Sequence, residues 1–88
     1  MKMNNLMTIG GALNCHNNKD INEDTFPNLE TVGGDIILAG SGFKKLPPML
    51  KHVGGRGIVS QTNHPGLIED LKRAYAKGII KGGIFFCD

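Results

Sequence analysis

The sequence has no tryptophan, one tyrosine and an aromatic content of 6%. It therefore lacks the interleaved aromatic and basic residues on which single-stranded nucleic acids stack. Cysteine occurs twice, as Cys15 and Cys87, which is too few for a disulfide framework and without the paired spacing of a zinc ribbon or finger. No apolar run approaches the roughly 20 residues of a membrane-spanning helix. The opening Met1-Lys2-Met3-Asn4-Asn5 carries one positive charge but neither a continuous apolar segment nor a small-residue cleavage site, so nothing in it marks the chain for secretion. A soluble, cytoplasmic protein is the expectation. The 88 residues allow a single domain, 1–88, with a thin core. At 40% hydrophobic and 20% charged, the chain is too apolar for disorder.

What is abundant is glycine, with 13 residues, many of them in pairs. Gly10-Gly11, Gly33-Gly34, Gly54-Gly55 and Gly82-Gly83 punctuate the chain, and the residues around the first three pairs recur as well. Leu6-x-x-Ile9-Gly10-Gly11-x-Leu13-x-Cys15, Leu29-x-x-Val32-Gly33-Gly34-x-Ile36-x-Leu38 and Leu50-x-x-Val53-Gly54-Gly55-x-Gly57-x-Val59 are one pattern written three times. The copies are 23 and then 21 residues apart, counted from Leu6 to Leu29 to Leu50. A period in the twenties points to stacked repeats, here about 4–25, 26–46 and 47–66.

In each copy the alternating residues after the glycine pair form a short strand, and the pair lets the backbone pass where a Cβ would collide. Stacking pairs these strands. Leu13, Ile36 and Gly57 then fall in one inward ladder and Cys15, Leu38 and Val59 in the next. Asn18, Ser41 and Thr62 share a position after the strand from which all three residue types can hydrogen-bond a turn backbone. A single copy cannot bury its apolar side alone, so the terminal copies must cover the ends.

The second copy continues as Ile36-x-Leu38-x-Gly40-Ser41-x-Phe43-x-x-Leu46-Pro47. It resembles a leucine-rich repeat, and more narrowly the short leucine-rich-like repeats of bacteriophage and prophage proteins. The resemblance covers about residues 4 to 68. Copy one is two residues longer than copy two, copy three has Gly57 where an aliphatic residue is expected, and both lack an apolar match for Phe43. The architecture implied is an α/β fold: a small leucine-rich-repeat-like solenoid of three to four short parallel strands with one capping helix near the C-terminus.

After Pro65-Gly66 the period changes. Leu67, Leu71, Ala74 and Gly78 fall at helical spacing, Glu69 and Asp70 lie early, Lys72, Arg73 and Lys77 lie late, and Gly78 is a natural terminator. The spacing predicts a helix over about 66–77 that caps the open end. A last strand over about 79–87 follows, aligned with Lys81 in the column of Ile9, Val32 and Val53.

Outward strand positions are rigid, repeated and free of core duties. The first outward row is Ala12, Asp35, Arg56 and Ile84; the second is Asn14, Ile37, Ile58 and Phe86; the third is His16, Ala39, Ser60 and Asp88. Ile37, Ile58 and Phe86, with Asp35 and Arg56 at the rim, form a candidate partner-binding patch. In the competing arrangement the helix folds over this face and buries it.

Candidates for chemistry are few. Cys15 and His16 are adjacent in a strand and point to opposite faces, which separates them as metal ligands or as a nucleophile and base. Cys15 shares its ladder with Leu38 and Val59, the setting of a packed core thiol. Gly54-Gly55-Arg56-Gly57 lacks the Lys-Ser/Thr ending of a phosphate-binding loop. No catalytic set, cofactor or metal is implied. Charge is uneven: residues 1–35 hold five acidic residues against Lys2 and Lys19 (2 − 5 = −3), and residues 36–81 hold eight basic residues against Glu69 and Asp70 (8 − 2 = +6). The expectation is a non-catalytic protein-interaction module. Its phage-type repeats give the most concrete form, an inhibitor of a host defence protein of the anti-CRISPR type. The alternatives are a nucleic-acid-binding accessory protein using the basic half, and a self-assembling structural protein whose Ile84–Phe86 strand pairs with its twin across a two-fold axis.

Overall fold

The computed structural model describes residues 3–87. Each copy of the pattern makes two short strands, one on either side of its glycine pair. Strands β1 (Thr8–Ile9), β3 (Thr31–Val32) and β5 (His52–Val53) precede the pairs. Strands β2 (Leu13–Asn14), β4 (Ile36–Ile37) and β6 (Gly57–Val59) follow them. The pre-glycine strands were not expected, because two residues carry too little alternation to register as a strand, and only the neighbouring copy defines them.

Two parallel sheets result, in the orders β1-β3-β5 and β2-β4-β6-β7, where β7 is Ile84–Phe86. Their register follows the sequence period. Ile9 pairs with Val32 and Leu13 with Ile36, both 23 residues apart; Val32 pairs with Val53 and Ile36 with Gly57, both 21 apart. The glycine pairs form the corner between the sheets. A Cβ on Gly33 would overlap the carbonyl oxygen of Gly10, and one on Gly54 that of Gly33, so close backbone stacking fixes glycine there.

The core lies between the sheets and the segments that follow β2, β4 and β6. Leu29, Val32, Ile36, Leu38, Val53, Val59, Leu67 and Leu71 are fully buried. The missing partner of Phe43 in the first copy comes from elsewhere in the chain. Phe26, just after the 3₁₀ turn Glu23–Thr25, stacks on Phe43 at 6.3 Å between ring centroids. That turn is held by reciprocal bonds: the Asn22 N–H donates to Thr25 Oγ1, and Asn22 Oδ1 accepts from the Asp24 N–H.

The helix α1 runs Pro65–Ala76, one residue earlier at each end than its spacing indicated. Pro65 takes the first helical position, and His64 Nδ1 accepts the Gly66 N–H at 2.9 Å. Gly78 ends it with φ +82°. Leu67, Leu71 and Ala74 are buried, as the helical spacing required. The helix is the crossover between β6 and β7, and β7, not the helix, forms the end of the sheet. Its placement accounts for Gly57: a Cβ there would meet Leu71 Cδ2 at 3.0 Å and Ile80 Cδ1 at 3.4 Å, so these side chains fill the space an aliphatic residue would take. The helix therefore packs on the inward side and leaves the outward face open.

The last strand sits one residue away from its expected alignment. Gly57 pairs with Ile84, Ile58 with Phe85 and Val59 with Phe86, an offset of 27 (84 − 57) where 28 was expected. Ile80, not Lys81, bridges to Val53 and is buried. The physical reason is the apolar column: Ile80 fits beneath Val53, whereas Lys81 in that place would bury an ammonium group without a partner.

Candidate interaction surface

The outward face of the four-stranded sheet begins at the glycine corner, where Asp35 and Arg56 follow their pairs. The Arg56 N–H donates to Asp35 Oδ1 at 2.7 Å, and its guanidinium lies 3.1 Å from Asp35 Oδ2. These bonds to Arg56, backbone first and side chain second, hold the Asp35 carboxyl below its ordinary range. The two residues come together as the sequence indicated, and Arg56 extends further: its guanidinium carbon stands 5.2 Å from the centroid of the Phe85 ring.

Beyond this rim the parallel register places Asn14, Ile37, Ile58 and Phe85 side by side. Ile37 and Ile58 are partly buried and Phe85 is 48% exposed. Phe85 takes the position assigned to Phe86, because a one-residue slip of a strand exchanges its faces. Phe86 lies in register with Val59 on the opposite side, and is exposed because β7 is the edge strand. Ile84 likewise leaves the first outward row for the inward row of Gly57. The signal for Phe85 was present in the buried column: aligning Ile80 beneath Val53 selects it directly.

The third row does not form a surface. Ala39 and Ser60 are buried, His16 is exposed, and Asp88 lies outside the described residues. The chain has already begun to turn at these positions. Ser41 Oγ donates to the Leu38 carbonyl at 2.6 Å, and Asn18 Nδ2 donates to the His16 carbonyl at 3.2 Å, so both serve their own turns. In the third copy Asn63, the neighbour of Thr62, bonds the turn backbone and also reaches the preceding copy. Buried Asn63 accepts the Ser60 N–H through Oδ1 at 2.8 Å and donates through Nδ2 to the Leu38 carbonyl at 3.0 Å. Thr62 Oγ1 bonds the Ser60 hydroxyl at 2.7 Å.

Cys15 is buried with its thiol pushed up to about 11 by desolvation, while His16 beside it faces solvent. A cleft of about 270 Å³ separates Leu46–Leu50 from the helix, and its one carboxylate, Asp70, accepts the Leu46 N–H at 2.8 Å. Among the basic residues, Lys51 pairs with Glu30, Arg56 with Asp35, Lys72 with Glu69 and Arg73 with Asp70. Among the described residues, no three His, Cys, Asp or Glu side chains gather closely enough to hold a metal ion, and no helix is long and apolar enough to cross a membrane. No protein-family model, curated protein or solved structure matches this chain.

Proposed function

We propose that the chain is a non-catalytic protein-interaction module, a leucine-rich-repeat-like solenoid that engages a partner protein through the row Ile37, Ile58 and Phe85. The observation that carries this reading is the register-locked apolar row on the face opposite the helix, bounded by the Asp35–Arg56 pair. Cross-strand apolar neighbours on an open sheet present a contiguous surface with a polar rim, the anatomy of an interface core. Arg56 over Phe85 restrains an aromatic anchor of the kind that dominates binding energy. The resemblance to phage repeats supplies the most concrete form, an inhibitor that occupies a surface of a bacterial defence protein, of the anti-CRISPR type.

The test is affinity capture from a bacterial lysate with four baits, each checked for an unchanged melting profile. Wild type and Phe86→Ser should retain the same bound protein, whereas Ile58→Asp and Phe85→Ser should lose it at least tenfold. Equal capture by Ile58→Asp removes the proposed face. Recovery of nucleic acid that is lost with rising salt would assign the chain to its basic half instead.

A further inference from the structure

The stacking of the glycine pairs has a direction. One glycine of each later pair is held free of a side chain by the backbone of the pair that precedes it: Gly33 by Gly10, Gly54 by Gly33, and Gly82 by Gly55, whose carbonyl an added Cβ would approach to 2.7 Å. Gly10 and Gly11 have no preceding pair among the described residues. A Cβ at either meets nothing within 4 Å, and neither has the left-handed backbone of Gly40, Gly78 or Gly83. Nothing inside the folded chain requires glycine at these two positions.

The same end is unfinished in other respects. Ile9 is only partly buried, whereas Val32, Val53 and Ile80 in its column are buried, and Met7 beside it is 51% exposed. Strand β2 is an edge, and its Asn14 backbone faces away from β4. At the opposite end β7 is also an edge, Ile84 is partly buried and Phe86 is 43% exposed. Stacked repeats need polar outer surfaces on their terminal copies, whereas here Met7 at one end and Phe86 at the other are exposed. The ends also differ in charge: residues 4–25 hold Lys19 against Asp20, Glu23 and Asp24 (1 − 3 = −2), and residues 66–88 hold Lys72, Arg73, Lys77 and Lys81 against Glu69, Asp70 and Asp88 (4 − 3 = +1).

We propose that a second copy of this chain supplies the missing neighbour, the β7 edge of one molecule pairing in parallel with the β2 edge of the next. Within the chain, Leu13 donates to the Asp35 carbonyl, Ile36 to that of Arg56 and Gly57 to that of Gly83. Continued by one strand, the same rule carries the Ile84 N–H to the Ala12 carbonyl of the next copy, and the Phe86 N–H to its Asn14 carbonyl. Lys81 and Gly82 then lie on Gly10 and Gly11 of that copy, which is why those two carry no side chains. Opposite charge at the two ends draws the copies into this orientation. A two-fold pairing of β7 with itself would be antiparallel and would leave Gly10 and Gly11 unexplained. The contact is heterologous, so association continues beyond a dimer.

The experiment is sedimentation velocity over a concentration series with wild type, Gly10→Val/Gly11→Val and Phe86→Lys. Wild type should grow beyond a dimer with concentration and shrink with added salt. Each variant should remain monomeric with an undiminished melting temperature, since the valines meet open space and Phe86 is exposed. An equimolar mixture of the two variants keeps one competent end on each and should form a heterodimer and nothing larger. Ile58→Asp should assemble as wild type does, which separates this contact from the partner-binding row. A wild type that stays monomeric to millimolar concentration overturns the proposal. So does assembly that stops at a dimer or ignores the Gly10 and Gly11 substitutions, or a melting temperature lowered by those substitutions.

Discussion

An added methyl group has opposite consequences at equivalent positions of this chain. At Gly33 it would overlap the Gly10 carbonyl, so Gly33→Ala should cost on the order of 1–3 kcal/mol, the range for forced overpacking. At Gly10 the same methyl meets open space, and Gly10→Ala should stabilise the monomer by about 0.4–1 kcal/mol by restricting the unfolded chain. Urea titration of the two variants at micromolar concentration measures both signs, and equal destabilisation would contradict the stacking geometry. The cysteines differ in a comparable way. Cys15 is buried with its thiol pushed up to about 11, while Cys87 is exposed. At neutral pH a thiol reagent should titrate one group per native chain and two after unfolding. Asp35 sets the acid behaviour of the corner. Its carboxyl is held below the ordinary value by Arg56, so it favours the folded state above its unfolded pKa and loses that contribution as pH falls through its folded value. The stability difference between wild type and Asp35→Asn should accordingly be present at neutral pH and vanish in acid.

Elements differ in how plainly the residues announce them. The helix was legible because Leu67, Leu71 and Ala74 keep helical spacing between Pro65 and Gly78, and the structure buries those three. The strands β2, β4 and β6 were legible because the repeat itself sets their register. Asp35, Arg56, Ile37 and Ile58 of the candidate surface followed from that register. Strand β7 was misplaced because Gly82-Gly83 invites alignment with Gly54-Gly55, whereas the pairing sets Gly82 and Gly83 beside Gly55 and Arg56. The burial of Ile80 decides that register, and a glycine pair carries no burial signal. Asn63 was overlooked because its neighbour Thr62 falls on the repeat position, and only the folded turn shows which side chain points inward. Asn63→Ala should cost about 1–3 kcal/mol by deleting two hydrogen bonds inside the core, one to the Ser60 N–H and one to the Leu38 carbonyl. Thr62→Ala, at an exposed position, should cost well under half as much in the same denaturation assay.

Across the whole molecule, protection from solvent is greatest in the middle copy and falls toward both ends. Val32, Ile36 and Leu38 are fully buried, Leu6 and Ile9 are partly buried at one end, and Ile84 is partly buried at the other. An edge strand of either sheet has one neighbouring strand and an interior strand two, so local opening should begin at the edges. The Ile36 and Leu38 amides, bonded to the Arg56 and Ile58 carbonyls, should therefore exchange only on global unfolding. The Leu13 and Cys15 amides, bonded to Asp35 and Ile37, should exchange faster through local opening of the first copy. Cys87, whose amide reaches back to Val59, should behave similarly at the other end. Hydrogen exchange followed by NMR resolves these amides individually, and uniform protection across them would mean that the chain opens as one unit. Measured again at higher concentration, the same amides report the head-to-tail contact: protection should rise at Asn14 and Phe86 together and stay constant at Ile36. A rise at Phe86 alone would place the association at one end and remove the role given to Gly10 and Gly11.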